Sequence, residues 1–244
     1  MNIALIGYGK MGKEVEAVAK EKGVTVTRIF TLENNTGGLG LTKEALKAVD
    51  VCIDFSWPQN VLDNIEAAAD CEKNIVVGTT GWYDKLDQVK KLVKDKKIGF
   101  LYAPNFSLGV NIFSQIVMDA AHLFDKHSEY DVAMSEVHHK DKADSPSGTA
   151  LSIASTILQT MKRKSELLTA PSHGQIKPHQ LHIVSTRVGN VTGKHSVLFD
   201  SESDTIELVH TAKNRRGFAL GAVVAACWLK GKKGFYTMRD VILS

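Results

Sequence analysis

The sequence predicts an α/β protein whose first part is a doubly wound parallel sheet and whose second part is an α+β unit with a mixed sheet. Two observations carry this expectation. Through the first hundred or so residues, short apolar runs rich in β-branched residues alternate with longer segments of helical period. Past Asn105 that rhythm stops, and strand-like runs follow one another across short turns. Size agrees, since 244 residues with 43% hydrophobic content suffice for one large or two modest cores.

"NIALIG" reads as the first strand, followed by a helix near Lys10 to Lys22 and the strands "VTVTRIF" and "VDVCIDFS". A helix from about Pro58 to Ala69, the strand "NIVVGTT", a charged amphipathic helix from about Tyr83 to Lys96 and the strand "IGFLYAP" complete the series. Apolar residues run almost unbroken through each strand, as in strands covered by helices on both faces. Next come a long helix, roughly "SLGVNIFSQIVMDAAHLF", the strand "YDVAMSEVHH" and the helix "GTALSIASTILQTMKRK". After a polar stretch around "APSHGQIKPHQ", the runs "LHIVSTRVG", "KHSVLFDS" and "DTIELVHTA" read as strands of an antiparallel or mixed sheet. The closing "RRGFALGAVVAACWLKGKKGFYTMRDVI" is an apolar helix with a short tail. If that helix packs on the first sheet, the second domain is an insertion, and the residues alone leave its docking open.

Thirty basic and 27 acidic residues give a net charge of +3 with no long block of one sign, a weak footprint for nucleic acid. The apolar run at the N-terminus, Ile3 to Ile6, is short, and nothing approaches the ~18 apolar residues of a membrane span. Cys52, Cys71 and Cys227 are widely spaced and form no C-x-x-C pair, which argues against a disulfide framework or a structural zinc site. A cytoplasmic protein with free thiols, acting on a small molecule, is expected.

"IALIGYGKMG" places Gly7, Gly9 and Gly12 in a G-x-G-x-x-G array directly after a strand and at the opening of a helix. The first glycine permits the tight turn, the second lets backbone approach a pyrophosphate, and the third lets helix and strand pack closely; the helix N-terminus then offers N–H groups to the anion. In this βαβ setting the array predicts dinucleotide binding, against the plainer reading of a glycine-rich turn. The acid that would hold the ribose hydroxyls is expected at the end of the second strand, "RIFTLENN", where Thr31 stands in its place and Glu33 follows two residues later. Arg28 lies on the strand and no arginine follows it in the loop, so NADH and NADPH both stay open. "VGTTG" and "YAPNFS" end later strands and should face the nicotinamide half of the cofactor, unless they are plain turns.

The densest chemistry lies in "EVHHKDKADSPSGTALS", Glu136 to Ser152. A metal reading must reckon with Glu136, His138, His139, His173, His179, His182 and His195. Adjacent strand residues point to opposite faces, however, so His138 and His139 do not readily chelate one ion. No metal site is expected. The plain reading of these histidines and of Lys140 and Lys142 is a set of surface or core residues on a solvated loop. What raises the functional reading is the Pro-Ser-Gly-Thr turn: Ser147 is placed as an N-cap, and the Ser-Gly-Thr N–H groups form an anion site suited, beside Lys142 and a histidine, to a carboxylate. A reductase needs this combination, because hydride reaches an electron-poor carbon only if another group supplies a proton or holds the developing negative charge.

The run E-x-H-H-x-x-K-x-D-x-P-S-G-T-A, unbroken from Glu136 to Ala150, resembles the signature of the 4-hydroxy-tetrahydrodipicolinate reductase (dihydrodipicolinate reductase) family of the diaminopimelate route to lysine. The resemblance spans essentially the whole chain through "IGYGKMG", "DFSWP", "VGTTG", "APNFS", "RVGNVTGKH" and "FALGAV". It implies a Rossmann-type dinucleotide-binding domain of residues 1–107 completed by 214–244, an inserted α+β mixed-sheet domain of residues 108–213 that binds substrate and builds a homotetramer, and NADH or NADPH as reductant. It further implies His138 as proton donor or acceptor, Lys142 as proton donor, and His139, Ser147, Gly148 and Thr149 as contacts to a cyclic dicarboxylate. For the cofactor it implies Gly7, Tyr8, Gly9, Lys10, Met11 and Gly12, then Gly78, Thr79 and Thr80, then Ala103, Pro104, Asn105 and Phe106, with Glu33 as the displaced acid. The glycine loop is one residue shorter than the family's common G-x-x-G-x-M-G form, so the family's cofactor preference does not transfer. The implied reaction is loss of water to give a conjugated diene-imine, hydride addition at one end and protonation of the neighbouring carbon. Two other readings share the glycine loop. An oxidoreductase acting on a sugar or an amino-acid semialdehyde would not need the helix-capping anion site beside His-His-x-x-Lys, and a dinucleotide sensor would not need the protonatable groups.

Overall fold

The apolar runs of the first part lie side by side as parallel strands in the computed structural model, which describes Met1 to Ser244. The chain divides into two compact units, Met1–Leu108 with Arg216–Ser244, and Gly109–Arg215. The first unit opens with β1 (Asn2–Ile6), α1 (Lys10–Glu21), β2 (Thr25–Phe30), β3 (Val51–Asp54), α2 (Val61–Asp70), β4 (Asn74–Val77), α3 (Leu86–Lys96) and β5 (Gly99–Tyr102). Successive strand residues serve opposite faces: Ile3 and Leu5 pack with Val15 and Val18 of α1, whereas Ala4 and Ile6 pack with Val61 and Ile65 of α2 and Val89 of α3. Both faces of the sheet are therefore covered, which is why its strands lack a polar alternation.

The second unit carries most of α4 (Leu108–Phe124), followed by β6 (Asp131–His138), α5 (Gly148–Thr160), β7 (Glu166–Leu168), β8 (Gln180–Arg187), β9 (Lys194–Asp200) and β10 (Thr205–Thr211). The strand order is β10-β9-β6-β8-β7, antiparallel across β10, β9 and β6 and parallel across β6, β8 and β7, so the sheet is mixed as expected. One face packs Val132, Met134, Ile183 and Phe199 against Phe113 and Val117 of α4 and Ile153 and Ile157 of α5. The other face carries no helix of this unit and leaves Val184, Leu198 and Val209 exposed by 50%, 37% and 46%. α5 stops at Thr160, four residues short of the expected run, because Met161 turns extended and the buried Lys164 folds inward to the Gln180 carbonyl at 2.8 Å and to Asp131 at 2.5 Å.

The chain then re-enters the first unit as α6 (Arg216–Leu229), β11 (Gly234–Thr237) and α7 (Met238–Ile242). β11 pairs parallel with β5, giving a six-stranded sheet of order β11-β5-β4-β3-β1-β2. The expected tail is thus a strand and a short helix, and the docking left open by the residues is decided by packing: Ala219, Ala222, Val223 and Ala226 share a core with Ile3 and Leu5. Gly221 makes this contact possible, since a Cβ there would lie 1.6 Å from the Phe106 carbonyl oxygen. Asn74 locks the return, its side chain donating to the carbonyls of Leu229 (2.8 Å) and Lys232 (3.0 Å) and accepting from the Gly99 N–H (2.7 Å). No helix is long and apolar enough to cross a membrane.

Candidate active site

The first unit holds a cavity of about 460 Å³ at the carboxyl ends of its strands, bounded by Gly7 to Gly9, Thr31 to Glu33, Phe55 to Trp57 and Asn60. This is where an open parallel sheet presents its ligand crevice. The glycine loop has the form a pyrophosphate requires. Gly7 adopts φ +89°, and a Cβ there would meet the Phe55 carbonyl oxygen at 2.4 Å; a Cβ on Gly12 would meet the Gly7 carbonyl oxygen at 2.3 Å. Nothing lies within 4 Å of a Cβ on Gly9, and as N-cap it contributes no side chain to α1, so the first N–H groups of the helix face an open approach. Glu33 borders the same cavity and accepts from the Thr31 hydroxyl at 3.1 Å.

Beneath this crevice lies Asp54, fully buried at the end of β3. Its carboxylate accepts from the Thr79 hydroxyl at 2.6 Å, the Ser56 N–H and hydroxyl at 2.9 and 2.8 Å, and the Asn64 amide at 2.9 Å. Burial pushes its pKa up against these donors. Asn64 in turn accepts from the Asn35 side chain at 2.8 Å, so one acid ties the loops after β2, β3 and β4 to α2. Thr79 is buried and its hydroxyl is committed to Asp54; Ala103 and Phe106 are core residues, Phe106 lying edge-on to Phe55. Met11 also packs against the core, and the Tyr8 hydroxyl bonds to Glu16. Among the residues assigned to the cofactor, Gly7, Tyr8, Gly9 and Glu33 line the cavity, Lys10 begins α1, and Thr80 and Pro104 lie on the surface.

In the second unit the strand pairing of β6 assembles a charged cluster. Glu136 and His138 fall on the same inward phase as Val132 and Met134 and are 1% and 7% exposed. Register puts His195 of β9 and Ser185 of β8 opposite Glu136, and Arg187 opposite His138. Glu136 Oε1 accepts from the Ser147 N–H, the Ser185 hydroxyl and Arg187 Nη2, each at 2.9 Å. Glu136 Oε2 lies 3.1 Å from His138 Nδ1 and 3.7 Å from His195 Nε2. Burial alone would raise the Glu136 carboxyl, but the Ser147, Arg187 and Ser185 donors outweigh it and hold it at about 2. Burial lowers both imidazoles, His195 to about 4, so the His195 ring is uncharged at neutral pH.

Potential ligand atoms of Glu136, His138 and His195 lie within 4.8 Å of one another, a proximity that the adjacency argument about His138 and His139 did not foresee. Arg187 supplies the cluster's positive charge, and we read the group as an ion-pair network. His139 turns away from His138 and instead borders a separate cavity of about 300 Å³ with Asn190, Thr192, Lys213 and Arg215. At the start of α5, Ser147 is the N-cap, accepting from the Ala150 N–H at 3.1 Å, as its place in the turn predicts. Its own N–H is taken by Glu136 and its hydroxyl lies 3.3 Å from His195 Nε2, so it serves the cluster from within. The Lys142 ammonium lies 2.6 Å from the Asp144 carboxylate, toward which the Gly148 N–H also points at 3.4 Å; Thr149 follows in the first turn of the helix. Sequence reasoning assigned no role to Asp54, Arg187, His195 or Asp144. Its one usable signal for Glu136 was an acid on the apolar phase of a strand.

Residues 1–106 match the family model "Dihydrodipicolinate reductase, N-terminus", and residues 109–242 match "Dihydrodipicolinate reductase, C-terminus". The chain belongs to the dihydrodipicolinate reductase family. Among members of this family, a 4-hydroxy-tetrahydrodipicolinate reductase of Christiangramia forsetii is 41% identical over 99% of this chain and 98% of its own length. One from Archaeoglobus fulgidus is 35% identical over 99% and 100%. A dipicolinate-bound dihydrodipicolinate reductase from Paenisporosarcina sp. TG-14 shares the fold with a TM-score of 0.80 at 24% identity, covering 98% of each chain. As a dihydrodipicolinate reductase family member the chain is an oxidoreductase with a dinucleotide-binding N-terminal domain.

Proposed function

We propose that the chain reduces 4-hydroxy-tetrahydrodipicolinate to tetrahydrodipicolinate in the diaminopimelate route to lysine, with NADH as the preferred reductant and with His138 and Lys142 handling protons. One observation carries the site assignment. Lys142 Nζ and the Gly148 N–H converge on a single carboxylate, that of Asp144, in the loop that follows the buried His138. A substrate carboxylate arriving there would replace Asp144 between a cation and the N-terminus of α5, which supports Gly148 and Thr149 as its cradle. Lys142 then stands ready to give a proton to the carbon beside the reduced one, while His138, whose charged form burial disfavours, takes part in the proton exchange. NADH supplies the hydride when bound.

The NADH assignment rests on Glu33. It borders the crevice together with Thr31, and neither lysine nor arginine lines that cavity, a combination suited to ribose hydroxyls and repellent to a 2′-phosphate. A homotetramer is supported by the helix-free face of the mixed sheet, where Val184, Leu198 and Val209 are exposed apolar side chains that other copies would cover. Three free cysteines fit a cytoplasmic setting.

The test is oxidation of NADH and of NADPH followed by absorbance, with substrate formed in place by a synthase from pyruvate and aspartate semialdehyde. NADH should show the lower KM, and Glu33→Gln should narrow the gap; equal KM values in the unaltered enzyme would remove the cofactor assignment. Lys142→Ala should lower kcat by ~10²- to 10⁴-fold with NADH affinity unchanged. Near-normal turnover would end the role given to Lys142.

A further inference from the structure

His138 is approached differently at its two nitrogens. Nδ1 lies 3.1 Å from Glu136 Oε2, off the line of a hydrogen bond; both atoms are buried and neither makes a hydrogen bond, the other group near Oε2 being His195 Nε2 at 3.7 Å. Two such atoms left side by side are costly unless a proton comes to lie between them. Nε2 faces Gly193, where a Cβ would stand 3.0 Å away; the absence of a side chain keeps that nitrogen from being crowded. Glu136 itself cannot drift, because three donors from α5 and β8 fix its other oxygen.

We infer that Glu136 is a positioning residue: anchored by Ser147, Ser185 and Arg187, it acts as the fixed counter-charge that orients the His138 ring through Nδ1 and holds a proton on it, leaving Nε2 to exchange with the reacting molecule. This rests on the proton-handling role proposed for His138. The groups facing His138 divide by sign. Burial, Lys142 on the following loop and Arg187 on β8 disfavour its charged form, while Glu136 on β6 and Asp144 on the loop favour it. His195 on β9 packs edge-on against the ring at 5.2 Å and, itself driven to about 4, adds no charge at neutral pH. Glu136 is thus the buried negative charge against the ring, whereas Asp144 is exposed and paired with Lys142. A carboxylate this close moves an imidazole by ~1 pH unit or more.

The experiment compares pH profiles of kcat/KM with titration of labelled histidine by NMR. In Glu136→Gln, the pH above which the protonated His138 is lost should move down by ~1 unit or more. Turnover should fall ~10-fold or more, with NADH affinity unchanged. Glu136→Asp keeps the charge but draws it back, and should move the same limb in the same direction by less; it also serves if the glutamine variant fails to fold. A lower kcat with the limb and the NMR titration unmoved would reduce Glu136 to a structural anchor and overturn the inference. A limb of the unaltered enzyme that shifts on adding EDTA would assign the cluster to a bound cation, with the same consequence. Near-normal turnover in His138→Gln would instead strike the role of His138, a distinct result.

Discussion

Asp54 and Glu136 are the two fully buried carboxylates, one in each unit, and they are held in opposite ways. Asp54 accepts only from neutral groups on Ser56, Asn64 and Thr79, and burial prevails, so its pKa rises. Glu136 accepts from Ser147 and Ser185 but also from Arg187, and it stays ionised down to about 2. The number of donors is similar; the presence of a guanidinium is what differs. Each suits its place. Asp54 lies beneath a loop shaped for an anionic cofactor, where a firmly held negative charge would repel the ligand. Glu136 lies against a ring proposed to carry a proton.

The largest expected effect tests the ion pair. Arg187→Met leaves Glu136 buried without its cation and should cost ~3–5 kcal/mol in urea unfolding. Asp54 has no cation to lose, so the contrast also predicts opposite responses to acid. The ordinary value for a glutamate is 4.5, and Glu136 is held at about 2, so the stability it contributes is present above 4.5 and lost as pH falls through that window. Asp54 is raised above 3.8, so its contribution is fully present below 3.8 and lost as pH rises through the raised value. Unfolding curves between pH 3 and 7 should therefore flatten in Glu136→Gln and lose stability more steeply on acidification in Asp54→Asn. Matching slopes in the two variants would show that the two carboxylates are not held in opposite ways. Asp54→Asn at neutral pH should cost less than the arginine variant, ~1–3 kcal/mol, because one acceptor among neutral donors becomes a donor. The smallest effect concerns the exposed Asp144. Freed from competition with its carboxylate, the Asp144→Asn variant should bind the proposed cyclic dicarboxylate substrate ~2- to 5-fold more tightly, read as a lower KM.

The sheets and most helices were legible because their signals are local. Unbroken apolar runs meant strands covered on both sides, and Gly7, Gly9 and Gly12 were decisive in their βαβ setting. β7 and β11 were not legible: each is three or four residues long, flanked by polar or glycine-containing segments, and becomes a strand only because a neighbour offers an edge. The site divided along the same line. Ser147 announced itself as a cap through the residues beside it. Glu136, Ser185, Arg187 and His195 meet only through the register of three strands, and the sequence distance from Glu136 to His195 hides a side-by-side pairing. Thr79 and Phe106 lie in motifs that resemble cofactor loops, yet their side chains are directed into the interior, leaving only backbone as what these two residues can offer.

The discontinuity of the first unit also governs how it can be made. Synthesis releases β1 to β5 first, but one side of their sheet finishes its core with Ala219 to Leu229, and its edge is completed only by Gly234 to Thr237. While the ribosome is still translating the inserted segment, the apolar residues of that side, Ile3, Leu5 and Val76 among them, wait without their cover. The nascent chain therefore carries a sticky, half-dressed sheet through more than a hundred codons, which makes a stop codon near its end far more damaging than the few residues removed would suggest.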